Sequence, residues 1–119
     1  MSPEQHDAAF AAVSHLPHLL AFAFINGIAS QPAGDDYMAL GGPGFRDFTR
    51  IAASDPKVWR DILRSNRQEL LTQTRHFKAA LAEFEAQLEA DQGPALESLI
   101  DRASQVRAQW RLAAPRTAK

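Results

Sequence analysis

Apolar residues recur along this chain at helical spacing, and no stretch alternates apolar and polar positions in the manner of a half-buried strand. The chain therefore reads as all-α. A first helix starts cleanly, with Ser2 placed to cap it, Pro3 at the first helical position and Gln5 completing a capping box. It runs through Phe10, Val13, Leu16, Leu20 and Phe24 to about Ile28. Pro17 falls in its interior, where it removes a backbone donor and crowds the preceding turn. A kink is expected there, with the carbonyl near Val13 losing its usual partner.

From Gln31 to Gly44 the residues change to Pro32, Gly34, Asp35, Asp36 and then Gly41-Gly42-Pro43-Gly44, which predicts a loop with one short turn around Tyr37 to Leu40. A short helix follows, with Phe45, Phe48 and Ala52 on one face. Ser54-Asp55-Pro56 ends it and starts the next, with Asp55 as the cap. That next helix meets no breaker before Gly93-Pro94. Leu63, Leu70, Phe77 and Phe84 are spaced by sevens, as are Leu81 and Leu88, the seam of a helix packed lengthwise on another.

A single helix from Pro56 to Gln92 would measure roughly 55 Å. A compact domain of this chain length has a radius of gyration near ~13.5 Å and so a diameter of about 35 Å. Such a helix either kinks or packs its far half on another chain. The second is the expectation, giving an intertwined dimer. The last helix, about Pro94 to Leu112, places Leu96, Leu99, Ile100, Ala103, Val106 and Trp110 on one stripe. It is expected to fold back on the long helix, and the tail from Ala114 to fray.

Composition narrows the function. The 119 residues suit one domain, 1–119, and 45% apolar with 23% charged residues is ordinary for a globular protein. Thirteen basic against fourteen acidic residues argue against a nucleic-acid binder that relies on overall positive charge. The absence of Cys excludes disulfides, thiolate zinc sites and Cys nucleophiles. Leu16 to Ala29, interrupted by Pro17, His18, Asn26 and Gly27, reads as too short to span a bilayer, and the N-terminus lacks the basic start of a secretory signal. A cytoplasmic single-domain protein or fragment, with neither membrane nor nucleic acid as partner, is the expectation.

Three of the four histidines lie in the first helix: His6, beside Asp7, then His15 and His18. On a regular helix His15 and His18 sit about 60° apart around the axis. A metal needs a third ligand, and His6 is three turns from His18, so no metal is expected. A substrate-binding pair beside a kink and a pair bonded to backbone freed by Pro17 both remain open. The second constellation runs from Gly41 to Arg50. A glycine-rich loop entering a helix offers amide donors to an anion, but no Lys-Ser/Thr follows, so a nucleotide P-loop is not indicated. Arg46 and Arg50 share a face, and Asp47 is spaced to orient Arg50 toward a ligand carboxylate. An ordinary helix start with a surface ion pair explains the same residues. Trp59 reads either as core or as projecting toward a partner's cleft. The six basic residues from Arg46 to Arg67 against three Asp would steer an anion, or form a solvated face.

Taken in order, His6-Asp7, Ser14-His15-Leu16-Pro17-His18, Gly44-Phe45-Arg46-Asp47-Phe48-Thr49-Arg50-Ile51-Ala52, Ser54-Asp55-Pro56, Trp59, Asp61-Ile62 and Asn66 resemble the C-terminal helical domain of the prephenate/arogenate dehydrogenases of tyrosine biosynthesis. The similarity runs from Met1 to about Leu88; the final helix carries little signature of its own.

The resemblance implies a homodimer of interlocked helical domains. It also implies a full-length enzyme in which an N-terminal Rossmann domain of the same gene product holds NAD or NADP. The implied reaction is oxidative decarboxylation of prephenate to 4-hydroxyphenylpyruvate, or of arogenate to tyrosine, with the catalytic histidine in the Rossmann domain. This chain has no Gly-x-Gly-x-x-Gly after a strand, so it is expected to bind no cofactor, hold no catalytic residue, and be inactive alone. It reads as a separated C-terminal half.

By the same resemblance Arg50 holds a substrate carboxylate, His18 and His6 line the substrate pocket, and inhibitory tyrosine binds close to His18. Asp47 is the acid beside the arginine, and Trp59 reaches the pocket of the other subunit. Ser14, His15 and Arg46 support them. Pro43 stands where some relatives have glycine and supplies no amide donor to a ligand. Two rivals compete with this reading. One is a free-standing helical regulatory module that binds an aromatic acid such as tyrosine. The other is a metal-dependent helical enzyme using His6, Asp7, His15 and His18.

Overall fold

The computed structural model describes residues 1–111, and among them there is no strand, so the all-α reading holds. The chain divides into two compact units, Met1–His76 and the part from Phe77 onward.

The first unit is built on α1 (Pro3–Phe10), a π-helical turn (Ala11–His15) and α2 (Leu16–Ala29). The capping box forms as expected: Gln5 N–H donates to Ser2 Oγ at 3.1 Å and Ser2 N–H to Gln5 Oε1 at 2.9 Å. Pro17 is absorbed by widening the turn before it. Leu16 N–H donates to Ala11 O, one residue further back than in an α-helix, which gives the proline ring room on the preceding turn. The helical run Pro3–Ala29 is therefore continuous, and by length and composition alone it is long and apolar enough to cross a membrane, contrary to the shorter span read from sequence. In this chain it is a scaffold, with α3 (Gly34–Ala39), α4 (Pro43–Thr49) and a 3-10 turn (Arg50–Ala52) packed on α2. Gly34 is buried where α3 meets α2, and a Cβ there would collide with Ile28 O. Phe24 meets Phe48 edge-on at 5.1 Å and Phe45 at 6.2 Å, as the predicted inward face of the short helix requires.

The expected unbroken rod from Pro56 is two helices, α5 (Pro56–Ser65) and α6 (Arg67–Glu89). Asp55 caps α5, accepting from Val58 N–H at 2.9 Å. Asn66 interrupts the rod at φ −121° and ψ 37°. Its amide bonds to groups on the first helical run, an alternative to the helical ladder that Asn side chains readily take. The seam survives the break within this unit, with Leu63 partly buried and Leu70 buried. Among the described residues the buried apolar side chains are Ala11, Leu16, Ala21 and Leu70.

The second unit holds the end of α6 and α7 (Gly93–Gln109), and none of its described residues is buried. α6 stops before Gly93 because Asp91 takes the left-handed conformation (φ 52°) and Gln92 N–H closes on Gln87 O at 2.9 Å, a Schellman-type ending. The expected return of the last helix onto the long one does not cover its apolar stripe. Every residue from Asp101 to Arg111 is exposed, Val106 at 68%. The fraying expected from Ala114 lies outside the described residues.

Candidate functional site

The π turn places His15 at its end and His18 one turn into α2, and both rings meet Trp59 of α5. His18 stacks on the indole with centroids 3.6 Å apart and planes 15° from parallel, while His15 approaches edge-on at 6.4 Å. Phe22 closes a third side at 6.3 Å. Such aromatic pairs add about 0.5–1.5 kcal/mol each beyond the area they bury.

His18 Nδ1 lies 2.9 Å from Ser14 O. A carbonyl only accepts, so Nδ1 carries the proton and Nε2 of the neutral ring is left as an acceptor. Bonding to helix backbone and membership of a site are thus compatible, because one ring nitrogen does each. Ser14 enters through its carbonyl.

A cavity of about 410 Å³ opens beside Trp59, walled by Phe22, Ile25, Ala52 and Leu63, with Arg60 at its polar margin. Its size and its mix of apolar wall with few polar groups suit a small organic ligand. Arg60 Nε donates to Asp61 Oδ1 at 2.9 Å, which steadies an exposed guanidinium at that margin. A smaller space of about 210 Å³ is lined by His6, Asp7, Phe10, His15, Ser65 and Asn66. His6 therefore sits with His15 rather than with His18, its ring 4.5 Å from Phe10 and its Nδ1 3.5 Å from Asp7 Oδ1. Asn66 spans the same space. Its amide nitrogen donates to Asp7 O at 2.8 Å and lies 3.4 Å from His15 Nδ1. Among the described residues no three His, Asp or Glu side chains converge in a way that could hold a metal ion.

Arg46, Asp47 and Arg50 are carried elsewhere. Phe45 and Phe48 turn toward α2, which leaves the intervening residues of α4 on its outer face. Asp47 pairs with Arg46 at 3.7 Å, both side chains more than three-quarters exposed, rather than orienting Arg50. Arg50 is exposed and, with Arg46 and Asp47, lines none of the cavities just described. Trp59, assigned by resemblance to the pocket of another subunit, stacks within its own chain. Arg60 and Phe22 were not singled out by sequence: one is a surface cation among six, the other an apolar position in an apolar helix. Asn66 stood in the motif without a role.

Residues 2–102 match the family model described as prephenate dehydrogenase, dimerization domain. The cyclohexadienyl dehydrogenase of Zymomonas mobilis is 36% identical over 95 residues, which is 78% of this chain and 32% of that protein. The crystal structure of prephenate dehydrogenase from A. aeolicus in complex with hydroxyphenyl propionate and NAD+ superposes with a TM-score of 0.83 at 36% identity, covering 92% of this chain and 38% of that one. Synechocystis arogenate dehydrogenase superposes with a TM-score of 0.86 at 26% identity, over 93% and 41%. The chain thus spans well under half the length of each of these relatives.

Proposed function

This chain belongs to the prephenate dehydrogenase dimerization-domain family, and on that premise we propose that it is the dimer-forming, substrate-binding half of a prephenate or arogenate dehydrogenase. The observation that carries the substrate role is the His18–Trp59 stack. It holds a bare imidazole nitrogen against an indole that also walls a ligand-sized apolar cavity. An aromatic or cyclohexadienyl ring suits the apolar wall, and its carboxylates suit the basic residues at the margin.

Among the described residues there is no strand, and so no strand-turn-helix seat for a dinucleotide. NAD or NADP is therefore assigned to a Rossmann domain of the same gene product, and the isolated chain is inactive. Its own residues bind and orient: His18 accepts a hydrogen bond at Nε2, Trp59 and Phe22 shape the apolar wall, and Arg60 attracts negative charge. Arg50 is assigned to a substrate carboxylate in a site completed by a second copy. The long-exposed apolar stripes of α6 and α7 favour such a homodimer. The same reading places the protein in the cytoplasm and makes tyrosine a competitor for the site.

Two measurements test it. Light scattering at micromolar concentration should give a dimer; a monomer removes the dimer-forming role. In an enzyme reunited with its dinucleotide domain, Arg50→Ala should raise KM for prephenate at least tenfold and leave KM for the nucleotide unchanged. Equal effects on both would take Arg50 out of the substrate site.

A further inference from the structure

We infer that Asn66 is a positioning residue that fixes the tautomer of His15 opposite to that of His18, so that the two imidazoles flanking Trp59 present one donor and one acceptor at Nε2. Three contacts carry this. Asn66 Nδ2 lies 2.8 Å from Asp7 O, and a carbonyl oxygen can only accept, so the atom facing it is the amide nitrogen and not the amide oxygen. The orientation of the Asn66 amide is thereby settled by chemistry. The same nitrogen lies 3.4 Å from His15 Nδ1. An NH2 group only donates, so Nδ1 of neutral His15 must be the bare, accepting nitrogen and the proton sits on Nε2. His18 is the reverse, with Nδ1–H given to Ser14 O and Nε2 bare.

Both rings touch the same indole, at 6.4 and 3.6 Å. A plain pair of histidines would interconvert tautomers and offer a ligand no defined pattern. Here each is locked by a partner that can act in only one sense, so each ring offers any ligand that reaches its Nε2 one fixed role, donor at His15 and acceptor at His18. The lock also uses the break in the rod. A residue continuing the helix at position 66 would keep its side chain along the helix surface, whereas Asn66 takes a non-helical conformation, keeps its carbonyl bonded to Leu70 N–H at 3.0 Å, and reaches residues 59 and 51 positions away in the chain. The charged neighbours of His15 in this space are Asp7 and, when protonated, His6, which pair with each other at 3.5 Å.

The ligand consequence rests on the substrate site proposed above, but the tautomer assignment does not. The test is imidazole nitrogen NMR on the 15N-labelled 119-residue chain, at alkaline pH where ordinary imidazoles are neutral. His15 should show Nε2–H and His18 Nδ1–H. Finding His15 as Nδ1–H, or as an equal mixture, overturns the inference without any variant being made. Asn66→Asp replaces the donor by a group that only accepts, and should convert His15 to Nδ1–H while leaving His18 unchanged. No change at His15 in a variant whose amide spectrum is otherwise native also overturns it.

Titration of hydroxyphenyl propionate supplies the functional readout, with at least a tenfold loss of affinity expected in Asn66→Asp. A reversed tautomer with unaltered affinity would strip Asn66 of its positioning role. Correct tautomers in a chain that never binds the probe would instead count against the substrate site and support the Asn66 assignment on its own terms.

Discussion

The two units of this chain are both helical, yet among the described residues only the first holds buried side chains. Met1–His76 covers Ala11, Leu16, Ala21 and Leu70 and draws two histidines, a tryptophan and an asparagine into one cluster. From Phe77 to Arg111 nothing is buried, although Leu81, Leu88, Ile100 and Val106 repeat at helical spacing. The physical difference is in what each helix finds opposite it. α2 has α3, α4 and the 3-10 turn folded against it by short connections, whereas α7 emerges from a tight Asp91 turn with a stripe that the described residues leave unburied. An uncovered apolar stripe is surface suited to another chain, which is why the proposed dimer contact is sought in the second unit and the proposed ligand site in the first.

The contrast can be broken most forcefully in the second unit. Ile100→Asp places a carboxylate in the proposed contact and should weaken self-association roughly a hundredfold or more. Sedimentation should show a dimer turning to monomer, while His18 and Trp59 stay in place by NMR. An unaltered association constant would remove α7 from the contact. In the first unit, Leu70→Ala should lower stability by about 2–5 kcal/mol, read as a melting transition whose shift does not depend on protein concentration. A shift that vanishes on dilution would make Leu70 part of the interface instead of the core. The smallest effect belongs to the helix start. Ser2→Ala loses the capping box and should cost about 1 kcal/mol at most, seen as faster amide exchange confined to the first turn of α1. Faster exchange extending past the π turn would show that α1 and α2 unfold as one.

Much of this fold was legible before any coordinates. The starts of α1 at Ser2 and α5 at Asp55, the inward face of Phe45 and Phe48, and the seam through Leu63 and Leu70 all depend on residues within a turn or two of one another. The candidate site was legible only in its parts. His15, His18 and Trp59 were each singled out, but their meeting depends on a π turn that regular helical spacing does not contain. Arg50 and Asp47 were linked by spacing and are separated by geometry, because Asp47 turns to the nearer Arg46.

Helix ends, helix faces and the absence of cysteine chemistry belong to the amino-acid order, since their hydrogen bonds close over three or four residues. The break at Asn66, the stack of His18 on Trp59 and the reach of Asn66 to His15 belong to the folded chain. Their partners are tens of residues apart, and only packing decides which distant group a side chain will meet.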